Sequence, residues 1–291
     1  MKTSERRLVA WVDSQDLADR VLAEVWAAGA LGVEERSGLS GIELIIYLDR
    51  PAESTIREAL LLFGDEGLRF GDSEPLGDED WAEAWKEGLD AVVISPRLVV
   101  RPSFVERTAT PGQQEVVIDP GQAFGTGGHE STRLALGWVD ELFAESHAAG
   151  RVLDVGTGSG VLALAALRLG ADWALGFDLD RTAILEARQV AARNELGDRF
   201  GLFTGPIACV GEGTFDLVVA NLLRAEVIPI ARDIARTVSP EGSLVLSGLL
   251  ETDRGPVLEA FASFGLELCA ERSLRDSSGV LWIAPRLVRS P

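Results

Sequence analysis

The chain has 291 residues, 46% of them apolar, and sets 46 acidic side chains against 27 basic ones for a formal net charge of −19. That length predicts two domains, or one with an appendage, and the apolar share supports buried cores rather than disorder. A charge this negative repels phosphate backbones, so no direct contact with nucleic acid is expected and a basic protein is the better partner.

No apolar run approaches the roughly 18 residues of a membrane span. The N-terminal MKTSERRLVAWVDSQ lacks the uncharged apolar stretch of a signal peptide. Cys209 and Cys269 stand far apart and form no disulfide framework. A cytoplasmic chain without membrane contact is expected, acting as a monomer. The acidity is concentrated early: residues 1–75 hold 8 basic and 15 acidic side chains, a net −7, and residues 76–95 hold 1 and 6, a net −5.

RRLVAWVD reads as a strand, and SQDLADRVLAEVWAAGAL as an amphipathic helix capped by Ser14 or Asp16. GVEER and GIELIIYLD read as a hairpin joined through SGLS. AESTIREALLLFGD is a second helix, and LRFGDSEPL a short final strand. The βαββαβ order predicts a small ferredoxin-like α+β domain over residues 1–75. GDEDWAEAWKEGLDA then predicts an acidic linker helix within 76–95, with Trp81 and Trp85 one turn apart on one face.

From RLVVRPSF onward, over 96–291, strands alternate with helices. RVLDVG, WALGFD, RFGLFTG, FDLVVAN and SLVLSG are apolar runs of the kind found in buried parallel strands. SGVLALAALRLGA, RTAILEARQVAARNEL and RAEVIPIARDIARTVS have helical period, and a further helix is expected from Arg133 to about Phe143. LELCAERSLRDSSGVLWIAP reads as two strands meeting at a tight turn. The expected class is α/β, a doubly wound sheet with a terminal antiparallel β-hairpin.

Gly156, Gly158 and Gly160 fall where a strand turns into a helix, and Asp178 follows 22 residues beyond Gly156 at the end of the next strand. Glycines there let a ligand approach the backbone, and a carboxylate at that distance can accept both hydroxyls of a ribose. The pair points to an adenosine-containing cofactor. A dinucleotide fingerprint would place a third glycine where Val161 stands, and no Gly-Lys-Ser or Gly-Lys-Thr occurs. His129 and His147 have no cluster of cysteines or carboxylates at ligand spacing, so no metal is expected. His129 is read instead as an anchor of its loop, and Trp81 and Trp85 as packing residues.

DVGTGSG, with Asp154 two residues before Gly156, resembles motif I of the class I methyltransferases, which bind S-adenosylmethionine. DPGQAFGTGGHEST, residues 119–132, resembles the D-P-G-x-A-F-G-T-G-T-H-x-T-T signature of the ribosomal protein L11 methyltransferase family, PrmA type. EDWAEAWKEGLDAVVISPRLVVRPSF resembles that family's W-x-x-x-W linker and following strand, and VVANLL its V-V-A-N-I-L. The resemblance covers roughly residues 78 to 250.

It implies a protein N-methyltransferase acting on lysine side-chain and amino-terminal amines of ribosomal protein L11; the first domain, acidic and complete in its own architecture, is expected to recognise that basic substrate. Thr132, Gly156 and Gly158 would contact the cofactor, and Asp178 would hold its ribose hydroxyls. Phe124 and Thr126 would lie in the glycine loop that covers it. Asn221 would face the methyl-transfer site, touching the cofactor and serving catalysis.

Methyl transfer from a sulfonium is an in-line displacement that needs an uncharged amine. No dedicated base is present, so the Asn221 side-chain oxygen and a nearby backbone carbonyl would accept the amine hydrogens. Asn221 also has a plain alternative, as N-cap of the helix that follows. Gly128 and Glu130 depart from the family's Thr and Pro, and Ser131 and Leu222 replace Thr and Ile. Cofactor binding should survive these changes. Asn-Leu-Leu-Arg in place of Asn-Pro-Pro-Tyr argues against a nucleic-acid or glutamine methylase. Two other readings stay open: an N-methyltransferase for another protein or a small amine, and a non-catalytic cofactor-binding interaction protein.

Overall fold

A computed structural model describes residues 5–38, 41–75, 90–106, 110–119, 128–145 and 150–289. Phe124, Thr126, Trp81, Trp85 and the part of the expected linker helix before residue 90 lie outside the described residues. The chain divides into two units, Met1–Gly88 and Leu89–Pro291.

In the first unit the elements are β1 (Glu5–Val12), α1 (Gln15–Ala27), β2 (Gly32–Gly38), β3 (Gly41–Asp49), α2 (Glu53–Leu61), β4 (Arg69–Phe70) and β5 (Glu74–Pro75). Ser14 is the cap of α1, its Oγ accepting from the Leu17 N–H at 3.3 Å. Alternation sends Leu8, Ala10 and Val12 of β1 and Leu44, Ile46 and Leu48 of β3 inward, where Val21 and Val25 of α1 and Ile56 and Leu60 of α2 cover them. The sheet runs β2-β3-β1-β4, antiparallel throughout. The last strand is split. β4 pairs with Ala10 and Trp11 and β5 with Arg6 and Arg7, while between them the Arg6 guanidinium donates to the Ser73 carbonyl at 2.7 Å.

The second unit opens with a three-stranded sheet of β6 (Val92–Val93), β7 (Leu98–Arg101) and β8 (Gln114–Val117). Residues 92–93, placed at the end of the linker helix by the sequence reading, are therefore strand. Ser95 turns the chain there, its Oγ accepting from the Arg97 and Leu98 N–H groups at 2.9 and 3.1 Å, and β6 folds back on β7.

The main sheet contains β9 (Arg151–Val155), β10 (Trp173–Asp178), β11 (Phe200–Thr204), β12 (Phe215–Asn221), β13 (Val238–Ser247), β14 (Leu249–Leu250), β15 (Leu266–Arg275) and β16 (Leu281–Arg289). Its order is β11-β10-β9-β12-β13-β16-β14, with β15 on β16. The first five strands are parallel, and β16 runs antiparallel to β13, β14 and β15.

The helices are α3 (Glu130–Glu145), α4 (Val161–Leu169), α5 (Arg181–Arg193), α6 (Arg224–Val227), α7 (Ala231–Thr237) and α8 (Arg254–Ala262). Alternating residues of the parallel strands feed two separate cores. Val152, Leu217, Val219 and Val245 pack with α3, α4 and α5, whereas Leu153, Val218, Leu244 and Leu246 pack with α7 and α8. A parallel sheet needs both faces covered in this way.

Two local readings change. The single helix expected over RAEVIPIARDIARTVS is broken by a 3₁₀ turn at Ile228–Ile230, because Pro229 has no N–H for the α-helical ladder. The α8 helix was not anticipated, since Gly255 and Pro256 in its first turn disguise the helical pattern. A buried clamp also links α5 to β8. Asn194 Oδ1 accepts from the Val117 N–H at 2.8 Å, and its Nδ2 donates to the Val117 and Val190 carbonyls at 2.7 and 2.9 Å.

Candidate active site

A cavity of about 960 Å³ opens in the second unit at the carboxyl ends of β9, β10 and β12. Ligands of open α/β sheets bind at this edge. Thr132, Gly156, Gly158, Asp178 and Asn221 all line it, although they come from four separate stretches of chain.

One wall is the turn from β9 into α4. Gly156, Gly158 and Gly160 have φ of +66°, +51° and +83°, the left-handed region that side chains disfavour. The Thr157 N–H donates to the Phe177 carbonyl at 2.9 Å and ties this turn to β10. Asp178 then receives one backbone N–H on each oxygen, from Gly158 at 3.1 Å to Oδ2 and from Asp180 at 3.0 Å to Oδ1. Each oxygen keeps room for a further donor, as two ribose hydroxyls require.

Beneath the turn lies Asp154, only 1% exposed. Its Oδ2 accepts from Thr157 Oγ1 at 2.9 Å and from the Ala163 N–H at 3.2 Å. Burial pushes its carboxyl up to about 7, opposing those hydrogen bonds, and the nearby Asp178 charge adds to the rise.

The facing wall joins α3 to the ends of β12 and β13. Thr132 is wholly buried in the first turn of α3, and Asn221 Nδ2 donates to its Oγ1 at 3.3 Å. That bond leaves Asn221 Oδ1 as an acceptor. Ser247 Oγ donates to the Ser131 carbonyl at 2.8 Å, a second buried tie across the same gap. His129 is held between the first turn of α3 and the terminal hairpin: its Nδ1 lies 2.8 Å from Ser131 Oγ, accepts from the Ser131 N–H at 3.2 Å, and its ring meets Trp282 edge-on at 4.7 Å. Asn221 is not a helix cap. The α6 helix begins at Arg224 with Leu223 as cap, whose N–H goes to Glu226 Oε2 at 2.9 Å.

Several lining residues carried no sequence signal. Leu179, 76% exposed beside Asp178, offers an apolar face at the mouth. Pro206 and Ile207 come from the loop that follows β11. Trp282 arrives from the terminal hairpin, and only the fold brings it near His129.

A family model described as ribosomal protein L11 methyltransferase (PrmA) matches residues 36–276. The chain belongs to this family. The ribosomal protein L11 methyltransferase of Geotalea daltonii is 41% identical over 217 residues, covering 72% of this chain and 69% of that one. That of Exiguobacterium sp. is 35% identical over 278 residues, covering 91% and 86%. The crystal structure of a ribosomal protein L11 methylase from Lactobacillus delbrueckii subsp. bulgaricus superposes with a TM-score of 0.60 at 27% identity, over 69% of this chain and 99% of that chain.

S-adenosylmethionine is accordingly the methyl donor of this L11 methyltransferase family member. The cavity fits that molecule: two free acceptor positions on Asp178 suit the ribose, and Leu179, Pro206 and Ile207 suit a flat apolar base.

Replacing Asp178 with Ala should weaken S-adenosylmethionine binding roughly 10- to 150-fold, the equivalent of about 1.5–3 kcal/mol for a charged hydrogen bond. Titration calorimetry on the folded variant measures this, and unchanged affinity would remove Asp178 from the site. Asp154 makes a pH prediction. Its raised carboxyl binds a proton in the fold where the unfolded chain has lost it, so its contribution to stability falls as pH rises from about 4 to about 7. Asp154→Asn removes that slope. Urea unfolding at pH 5 and pH 8 should show the variant gaining on the parent by up to about 3 kcal/mol. A pH-independent difference would mean that Asp154 ionises as an ordinary carboxylate.

Proposed function

We propose that this protein transfers methyl groups from S-adenosylmethionine to lysine side-chain and amino-terminal amines of ribosomal protein L11. The family membership supports the substrate, and one feature of the cavity carries the chemistry. At the end of β12 stands a neutral acceptor, Asn221 Oδ1, oriented by the Nδ2 bond to buried Thr132.

The donor supplies an electrophilic methyl on a sulfonium. A lysine amine titrates near ~10.4 in water, so it reaches this group mostly as ammonium and must release a proton to solvent before attack. Leu222 and Leu223, which follow Asn221 along the cavity wall, favour the uncharged amine by withholding water. Asn221 Oδ1 then accepts one remaining N–H, which aims the nitrogen lone pair at the methyl carbon. Thr132 fixes the amide plane, and Ser247 holds the start of α3 through the Ser131 carbonyl, so Thr132 keeps its place.

The first unit is the recognition module in this proposal. Its net charge of −7 over residues 1–75 suits the basic proteins of the ribosome, and a linker would let one module present several amines. The lining residues Asp178, Asn221, Thr132 and the motif I glycines all belong to the second unit.

Asn221→Ala should lower kcat far more than cofactor affinity, because its working partner is the amine. Stopped-assay kinetics beside calorimetry separate the two, and a parental kcat would end the catalytic assignment. A chain of residues 89–291 retains β6 and every described cofactor-site residue. It should bind S-adenosylmethionine normally yet methylate ribosomal protein L11 with a sharply raised KM. Activity of the full chain should also fall as salt rises, because steering by opposite charge is screened. Undiminished L11 methylation by residues 89–291 would remove the recognition role from the first unit.

A further inference from the structure

Three adjacent strands, β9, β12 and β13, end side by side at the cavity, and each is followed by a residue with an unusual packing demand. After β9 comes Gly156, with φ of +66°. After β12 comes Leu222. After β13 comes Gly248, with φ of +80°. All three line the cavity.

Leu222 is wedged between the two glycines. A Cβ at Gly156 would stand 2.7 Å from Leu222 Cδ2, at the tip of its side chain. A Cβ at Gly248 would stand 2.7, 2.9 and 3.0 Å from the Leu222 O, C and N atoms. The first collision is with a flexible end, while the second is with the backbone itself. The Leu222 N–H also donates to the Ser247 carbonyl at 3.1 Å, and Asn221 pairs in register with Ser247. Gly248 thus presses against the peptide that follows Asn221, and a side chain there would collide with the Leu222 carbonyl.

The geometry points to Gly248 as a positioning residue for methyl transfer. By admitting the Leu222 peptide against its own backbone, it sets where Asn221 and the Leu222 carbonyl stand relative to the glycine turn on the donor side. Two acceptors on consecutive residues, one side chain and one carbonyl, suit an amine with two hydrogens to place. The inference rests on the amine-methylation reading above. Its sequence context, SGLL, has no motif that separates this glycine from the other 30 in the chain.

The test is Gly248→Ala in the full chain. We expect kcat on ribosomal protein L11 to fall on the order of 10²-fold, the cost of displacing a reacting group by about 1 Å, with S-adenosylmethionine affinity changed far less. Amide hydrogen exchange at Leu222, followed by NMR without substrate, should accelerate as its bond to Ser247 is strained. Adding Leu222→Ala should leave the defect in place, because the collision is with backbone atoms. A parental kcat, a parental exchange rate at Leu222, or restoration by Leu222→Ala each overturns the assignment. Wild-type enzyme that fails to methylate ribosomal protein L11 refutes the proposed function alone, and the exchange measurement then decides the role of Gly248. If Gly248→Ala does not fold, amide exchange in the wild-type full chain carries the test: the Leu222 N–H, held on the Ser247 carbonyl beside Gly248, should be strongly protected, and exchange at the rate of an open amide overturns the assignment.

Discussion

The parallel pairing of β12 between β9 and β13 is the constraint on which the cavity depends. Ala220 lies opposite Val155 on one side and Leu246 on the other, so all three strands finish at one level. Their successors then have no ladder partners and must turn, which places Gly156, Leu222 and Gly248 around a common space. Slipping one strand by a residue would exchange its two faces and carry every lining residue into the wrong core. The two cores on opposite sheet faces make that register costly to lose.

Two carboxylates flank the motif I turn and are put to different uses by their surroundings. Asp178 sits at the mouth with a backbone donor on each oxygen and spare capacity for a ligand. Asp154 is sealed below, and its two donors come from Thr157, between the first two glycines, and from Ala163, beyond the third. It therefore stitches the turn together from inside. Its raised carboxyl is the cost of burying an acid where a tight turn needs two acceptor bonds.

The wall opposite depends on long-range hydrogen bonds. Asn221 meets Thr132, Ser247 meets the Ser131 carbonyl, and Trp138 Nε1 donates to the Ala284 carbonyl at 2.8 Å, so α3 is fastened to β12, β13 and β16 together. Arg272 from β15 stacks over the Trp138 ring at 4.8 Å and pairs with Glu141, which secures the same helix further along. The terminal hairpin is thus part of the site's support, and Trp282 carries it into the cavity against His129.

Most of the element order was legible in the sequence because strand and helix periods are local properties. The five parallel strands, the helices beside them, and the glycine turn with Asp178 were all readable from spacing alone, and the DPGQAFGTGGHEST stretch identified the family. Breaks in that legibility came where a local pattern was overruled or disguised, as at Pro229, in α8, and at Val92–Val93. That Asn221 does not cap α6 was decided by where that helix begins, which its polar neighbourhood did not reveal. The apolar mouth of Leu179, Pro206 and Ile207, the Trp282 contact with His129 and the Gly248–Leu222 approach were decided only by the tertiary structure. Each joins residues from separate strand ends, and such a contact is set by sheet order and register. A one-dimensional pattern encodes which face a residue takes, but not which neighbour it meets there.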